Sequence, residues 1–496
     1  MTALAAALML YGCAVGPDFR AEEAPRSTGF TPELIATKLS DGAKEQRLLI
    51  AMDIPGQWWK LFQSPTLDAL IRRALQANPT LDVAQAALRQ SRENVYAQEG
   101  AYFPAASANF SPSRNKTATG NLSPNSASGR PYYNLTTAQL SVSFVPDVFG
   151  ANRRGIESLA ALAEAQRFQL EATYLTLISN LVNAAVQEAS LRGQIDVTRR
   201  IIGFQQNGLR VLRKQRELGQ VAGLDVFAQE AALKLAEATL PPLDKQLALQ
   251  RNQVAALAGR LPDQPPPEMF RLVDFHLPTE LPLSLPSQVV EQRPDIRQAQ
   301  ENARSATAQI GVAIANRIPL ISLTANIGSS PGSIEKLFTP SNGFFVLAGS
   351  VTQPIFQGGT LLHRQRAAQA AFEQAQAQYR STVLTAFQNV GDTLQALRID
   401  ADAVRFAQAA KNVASASLAI VRTQLRLGQV SYLALLTAEQ TELQSGLALV
   451  QAQANRLSDS AALMQAVGGG WWNRSDVRVQ DVQGRNLLGM LGLQQP

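Results

Sequence analysis

The sequence predicts a mixed α and β chain: four membrane-crossing strands joined to two exceptionally long helices, with the whole plan occurring twice as an internal two-fold repeat. Three observations carry that reading. Lys, Arg, Asp and Glu supply only 17% of the 496 residues, against about 25% in ordinary soluble proteins. Two charge-poor blocks alternate apolar and small polar residues with the period of a strand. Two runs of 67 residues, 151–217 and 360–426, contain no proline.

The repeat is read by comparing the chain with itself. Pro79, Leu81, Ala84 and Pro104 return as Pro294, Ile296, Ala299 and Pro319, and Pro146 and Gly150 return as Pro354 and Gly358. Leu218, Gly219 and Gln220 return as Leu427, Gly428 and Gln429; Leu224, Glu230 and Gly259 return as Leu433, Glu439 and Gly468. The first repeat therefore occupies 58–260 and the second 287–470. A Pro-rich linker at 261–286 joins them, an extended segment at 13–57 precedes them, and a tail at 471–496 follows.

Each repeat opens on a β-hairpin, over 104–146 and 319–354. Ala138, Leu140, Val142 and Phe144 alternate with Gln139, Ser141 and Ser143; Ile321, Leu323, Ala325 and Ile327 alternate with Ser322, Thr324 and Asn326. Ala106, Ala108 and Phe110 form a third such row and Phe344 to Thr352 a fourth, with loops expected over Ser111 to Arg130 and Gly328 to Asn342. A soluble half-buried sheet would explain the alternation. It would not explain why the polar face is almost free of charge: only Arg114, Lys116 and Arg130 lie between Pro104 and Pro146, and only Glu335 and Lys336 between Pro319 and Pro354. Membrane strands explain both. Four strands cannot close on themselves, and an open edge in lipid strands backbone groups at several kcal/mol each. Closure needs several chains, and the periodicity is compatible with eight strands from two or twelve from three.

A helical hairpin follows each β-hairpin, over 151–259 and 360–467. A continuous 67-residue helix rises roughly 100 Å at 1.5 Å per residue. In the first, Tyr174, Leu181, Ile195, Ile202 and Leu209 recur at multiples of seven with Leu177, Ala184, Leu191 and Leu212 three residues on, a coiled-coil stripe that Glu188 interrupts. Both long helices end at Leu-Gly-Gln, where Gly219 and Gly428 can take the left-handed conformation of a helix C-cap. Pro241 and Pro242 break the first return helix, whereas the second runs free of proline to Gly468.

Several chemistries are excluded or unsupported. A single cysteine rules out a disulfide framework, and the two isolated histidines, His276 and His363, offer no metal-ligand spacing and read as surface or loop residues. The net charge of +6 never gathers into a basic block, so nucleic acid is not an expected partner. No phosphate loop, dinucleotide fingerprint or hydrolase motif is present, and the six methionines are not clustered; neither an enzyme nor a metal exporter is indicated. Gln, with 47 residues, supplies much of the surface polarity that charge does not. No segment after the first residues is apolar for the 18 residues a transmembrane helix needs.

The N-terminus carries a short apolar run, Ala3 to Leu10, then Tyr11, Gly12 and Cys13. Residues 1–12 read as the remnant of a signal peptide, and Gly12-Cys13 resembles a bacterial lipobox, in which the cysteine is acylated. The segment departs from the usual form in Tyr11 and in having no Lys or Arg before the apolar run; a buried free cysteine is the alternative. Ala14 following the cysteine, by resemblance to bacterial lipoproteins, favours the outer membrane.

Taken in order, Cys13 to Phe19, Trp58-Trp59 with Phe62, the Pro354 to Gly359 turn and the terminal Gly468-Gly469-Gly470-Trp471 resemble the outer-membrane factor family in its lipoprotein branch, the TolC, OprM and NodT type. That resemblance implies a homotrimer forming one twelve-stranded outer-membrane β-barrel, continued by a long periplasmic α-helical barrel. It implies a passive duct with no catalytic residues and no cofactor beyond a covalent lipid on Cys13. It also implies two partners, a periplasmic adaptor and an inner-membrane pump of the resistance-nodulation-division class. Leu218, Gly219, Gln220 and Leu427, Gly428, Gln429 match the family's adaptor-docking tips. Asp225, Leu433 and Thr437 fall on its periplasmic gate, where Asp225 also reads as a carboxylate complementing a helix N-terminus. Ala434 and Thr437 stand where relatives often carry acids, so a less acidic constriction is expected. Trp58, Trp59, Trp471 and Trp472 read as packing, not as a ligand site. Two other readings remain: the exit channel of a type I protein-secretion system, and a periplasmic coiled-coil scaffold or adaptor with no barrel.

Overall fold

The computed structural model describes residues 15–23, 29–31, 38–42, 45–116 and 132–474. The signal remnant at 1–12, Cys13, residues 117–131 of the first hairpin's loop and residues 475–496 of the tail lie outside the described residues. In chain order the strands are β1 (Lys38–Ser40), β2 (Glu45–Ile50), β3 (Ala105–Lys116), β4 (Tyr132–Phe144), β5 (Glu280–Leu283), β6 (Leu320–Ser329) and β7 (Gly343–Thr352). The helices are α1 (Pro65–Ala77), α2 (Pro79–Glu99), α3 (Ala151–Glu217), α4 (Gly223–Ala238), α5 (Leu240–Leu257), α6 (Pro286–Gln292), α7 (Pro294–Ala315), α8 (Thr360–Arg426) and α9 (Tyr432–Ala466). The same order of elements, helix, two strands, long helix and return helix, thus occurs twice. Pro241 and Pro242 divide the first return path into α4 and α5, as their missing N–H groups require. The chain forms two compact units, one of residues 1–24, 82–170 and 294–384, the other of residues 25–81, 171–293 and 385–496.

The first unit holds a four-stranded antiparallel sheet in the order β3-β4-β6-β7. Its register sorts side chains by face: Ala108, Leu140, Ile327 and Phe345 stand in one cross-strand row and Ala106, Val142, Ala325 and Leu347 in another, while Ser107, Ser141 and Asn326 line up between them in a row that ends at Val346 on β7. Directly opposed residues share a face, so the sheet has one apolar side, and Phe110, Ile327, Phe345, Leu347 and Val351 on it are exposed. β3 runs five residues beyond the expected loop start at Ser111, through Pro112. Proline reads as a breaker, but β3 is an edge strand, where a sheet tolerates one.

The N-terminal strap, from Val15 to Glu23, belongs to this unit. Val15 N donates to Phe149 O at 3.2 Å, and the buried Arg154 guanidinium holds Val15 O, Gly16 O and Asp18. Gly16 and Gly311 meet so closely that a Cβ on either would strike the other's backbone neighbourhood.

In the second unit the stripe of α3 is buried as expected, and Glu188 is fully buried too. It is not a defect. Its carboxylate accepts from Arg192 at 2.8 Å and from Arg251 of α5 at 3.0 Å, so the interruption ties two helices together; a buried charge is tolerable only when paired in this way. Both return helices end in the same double hydrogen bond. Arg260 N bonds Ala255 O and Gly259 N bonds Ala256 O; Gly469 N bonds Met464 O and Gly468 N bonds Gln465 O. The residues ahead of α2 and α7 then cap the neighbouring return helices: Asn78 Nδ2 reaches Leu257 O at 2.8 Å and Arg293 Nη1 reaches Ala466 O at 2.9 Å.

Two segments read from sequence as plain connectors are structured. Within 13–57 lie β1 and β2, and within the linker 261–286 lies β5; β1 pairs antiparallel with β2, which pairs parallel with β5. Arg456 of α9, almost wholly buried, donates to Gln46 Oε1 at 3.0 Å and pairs with Asp41, which fastens β1 and β2 to that helix. Beside it, Asp400 of α8 has a buried Oδ2 without a partner; burial and the neighbouring carboxyl of Asp459 on α9 push Asp400 up to about 7 against the pull of Arg456.

Two outcomes follow from this packing. At Gly259 the backbone is left-handed (φ 69°) and a Cβ would collide with Ala77 O, whereas at Gly219 (φ 73°) the space is open. Gly219→Ala should cost about 1 kcal/mol, the left-handed penalty alone, and Gly259→Ala at least twice that, measured by denaturant unfolding of the two variants side by side. The second outcome concerns pH. Native Asp400 keeps a proton that the unfolded chain releases from about pH 4 upward, so stability is lost as pH rises from about 4 to 7 and is level above. Asp400→Asn should flatten that fall and melt higher than the parent at pH 8; an unchanged slope in thermal melts would exclude the carboxyl pair as its source.

Candidate functional site

The two hairpin tips are built alike from backbone geometry. At the first, Gln220 N bonds Gln215 O and Gly219 N bonds Arg216 O; at the second, Gln429 N bonds Gln424 O and Gly428 N bonds Leu425 O. Each is the paired bond of a Schellman cap, which needs a residue at positive φ, and Gly219 and Gly428 supply it at 73° and 72°. No atom lies within 4 Å of where a Cβ would stand on either. Leu218 and Leu427 are exposed beside them, as are Leu224, Phe227 and Leu433 on the return helices. Both tips therefore present bare backbone flanked by apolar side chains.

Behind the tips an ion pair joins each long helix to its return helix. Arg213 and Glu230 stand 3.2 Å apart at the surface; Arg422 and Glu439 stand 3.5 Å apart with Glu439 buried, and Arg422 stacks 4.2 Å over the Phe204 ring. Burial raises the Glu439 carboxyl, and Arg422 opposes the shift. Tyr432 packs against the apolar cores of both hairpins, the one around Leu209 and Val226 and the one around Leu418 and Leu435. Its hydroxyl is buried without a partner, and burial with the nearby Glu439 charge pushes it up.

The structure brings Leu433 and Thr437 together and leaves Asp225 apart. Thr437 Oγ1 donates to Leu433 O at 3.1 Å, one turn back on α9. Both line a groove of about 470 Å³ between α8 and α9 with Ser417, Val421 and Ala434, and no charged residue lines it. Asp225 sits in the first turn of α4, where a carboxylate complements the helix dipole. Cys13 is outside the described residues. The residues that sequence reasoning missed are Glu439 and Tyr432. Glu439 was visible as the repeat partner of Glu230, but nothing in a sequence tells a surface pair from its buried copy.

Comparison with known proteins gives the family. The model of the family described as "Outer membrane efflux protein" matches residues 70–260 and 285–469.

The chain belongs to the outer membrane efflux protein family.

Among curated relatives, the antibiotic efflux pump outer membrane protein ArpC of Pseudomonas putida is 27% identical over 481 residues, 95% of each chain. The pyoverdine export outer membrane protein OpmQ of Pseudomonas aeruginosa is 26% identical, over 95% of this chain and 97% of its own. The solved outer-membrane channel OprN, 26% identical, superposes with a TM-score of 0.81 over 92% of this chain and all of its own. As a member of the outer membrane efflux protein family the chain is an outer-membrane protein, and that family is not one of enzymes. Among the described residues no helix is long and apolar enough to cross a membrane, and no group of three or more His, Cys, Asp or Glu is placed to hold a metal. Trp58 and Trp59 are buried edge to face, while Trp471 Nε1 donates to Gln292 O and Trp472 Nε1 to Asp53; all four pack within the protein.

Proposed function

We propose that this outer-membrane efflux protein is the passive, gated exit duct of a tripartite pump. Three copies build one twelve-stranded barrel, the duplicated helical hairpins continue it as a periplasmic tunnel, and a periplasmic adaptor couples it to an inner-membrane transporter of the resistance-nodulation-division class. The observation that carries the reading is a four-stranded sheet with one exposed apolar face and two unpaired edges, in a chain of this family. The tips Leu218-Gly219-Gln220 and Leu427-Gly428-Gln429 dock the adaptor, Leu433 and Thr437 line the gate with Asp225 near it, and Cys13 carries the lipid. The named relatives export antibiotics and pyoverdine, which supports small molecules as the cargo. The energy comes from the pump, so the duct itself needs no catalytic group or cofactor.

The reading is tested on purified protein in detergent and in planar bilayers. A trimeric mass, an acyl increment that Cys13→Ala removes, and a small, mostly closed conductance are expected; a monomer without conductance would return the long helices to a scaffold role. In a drug-sensitive host, Gly219→Val or Gly428→Val should abolish resistance with trimers intact, because a β-branched residue cannot adopt the cap. Leu433→Ser should admit large antibiotics. Full resistance in the glycine variants would remove the tips from docking, and unchanged susceptibility in Leu433→Ser would remove that residue from the gate.

A further inference from the structure

The two β-hairpins hand over to their long helices through turns that are equivalent in the repeat but not in surroundings. In the first, Asp147 caps α3: Asn152 N and Arg153 N donate to its carboxylate at 2.9 and 2.7 Å. Phe149 O takes the bond from Val15 of the N-terminal strap. Val148 and Phe149 are partly covered, and so is Ile318, just ahead of the adjoining strand β6. In the second turn Ile355 replaces the capping Asp147 and is 95% exposed, and Phe356 in place of Val148 is 87% exposed. At the far edge of the sheet, just ahead of β3, Tyr102 and Phe103 are exposed as well, where the repeat has Arg317 and Ile318.

These bare groups lie at one end of the sheet. Ala105 opens β3 and Thr352 closes β7, and the ladder from Ala105 to Ser143, Phe144 to Leu323 and Leu320 to Thr352 puts both at the same end. β3 and β7 are the two edge strands, and a second copy's β3 laid on β7 continues the antiparallel alternation. Such a head-to-tail contact repeats until it closes a ring. Inside the chain, the joint between β4 and β6 is that same contact, and there the flanking turn is half-buried with the strap bound to it.

We infer that Ile355 and Phe356 of one copy pack against Tyr102 and Phe103 of the next, an apolar seal at the strand ends of the joint between copies. It rests on the proposed trimer. One N-terminus per chain serves one of the two turns; the second turn, which has no strap of its own, is closed by a neighbour's side chains. The exchange of a capping Asp for Ile is what such a seal requires, since the carboxylate would have to be buried against aromatic rings.

The test is a double variant, Phe103→Cys with Ile355→Cys, treated with a bismaleimide in membranes, beside both single variants and a strand-edge control on one face of the sheet, Phe110→Cys with Val351→Cys. The expected result is covalent dimers and trimers from the rim double variant and from the control, and none from the single variants. Bridging in the control with none at the rim would overturn the seal and leave the trimer standing; no bridging in either with a monomeric mass would overturn both. As a second measurement, Phe356→Ser should lower the temperature at which trimers dissociate on a gel, and trimers as heat-resistant as the parent's would also overturn the seal.

Discussion

A backbone amide in hydrocarbon has no water to bond, and everything on the membrane side of this protein answers to that constraint. Three ladders satisfy the interior of the sheet, from β3 through β4 and β6 to β7. They leave two edges, and in lipid an edge costs several kcal/mol per stranded group. The scarcity of charge between Pro104 and Pro146 and the exposed apolar face are what a sheet looks like when its outer side is lipid, and the proposed contact between copies would pair its edges. The same constraint sets where strands can stop. Each hairpin is bracketed by prolines, and Gly150 and Gly358, at φ 75° and 57°, turn the chain out of the strand and into a long helix.

Beyond the sheet, the helices depend on how their ends are satisfied. A long helix ends with carbonyls unpaired, and packing two such helices into a hairpin buries some of them. The four glycine caps deal with this by one motif used in two settings. At Gly219 and Gly428 the cap faces open space, so what it exposes is backbone; at Gly259 and Gly468 it is pressed against the carbonyls of Ala77 and Gln292. One requirement for positive φ thus produces a free surface at one end of the hairpin and a tight joint at the other.

What could be read in the sequence was what has a period or a punctuation mark. The strands showed because a two-faced sheet alternates, the long helices because proline is missing from 151–217 and 360–426, and the caps because Leu-Gly-Gln occurs twice. β1, β2 and β5 did not show: they span three to six residues, lack a clean alternation, and β5 holds Pro282. Their cohesion comes from Arg456, more than 400 residues away along the chain, in contact with Gln46 and Asp41. Glu188 was legible as a break in a stripe, but its meaning lies in Arg251, 63 residues on. Of the tips and gate, the glycines and Leu433 could be placed from the repeat, whereas the buried Glu439 and the unpartnered Tyr432 hydroxyl could not, because burial is a property of what packs on a residue and not of its neighbours in the chain.

The two halves also show which features a repeat can let drift. Glycine persists at three pairs of left-handed positions, 150 and 358, 219 and 428, 259 and 468. Side-chain solutions change freely when a different group does the same work: Asn78 and Arg293 cap equivalent carbonyls with different chemistry. Where the work itself differs, the residue type changes in kind. Tyr432 stands at the position of Gly223 and bridges two apolar cores, which a glycine cannot do. Ile355 stands at the position of Asp147 and cannot cap a helix. An isoleucine left bare beside an unpaired strand edge is what the proposed contact between copies would cover, in place of the helix cap that Asp147 supplies in the first half.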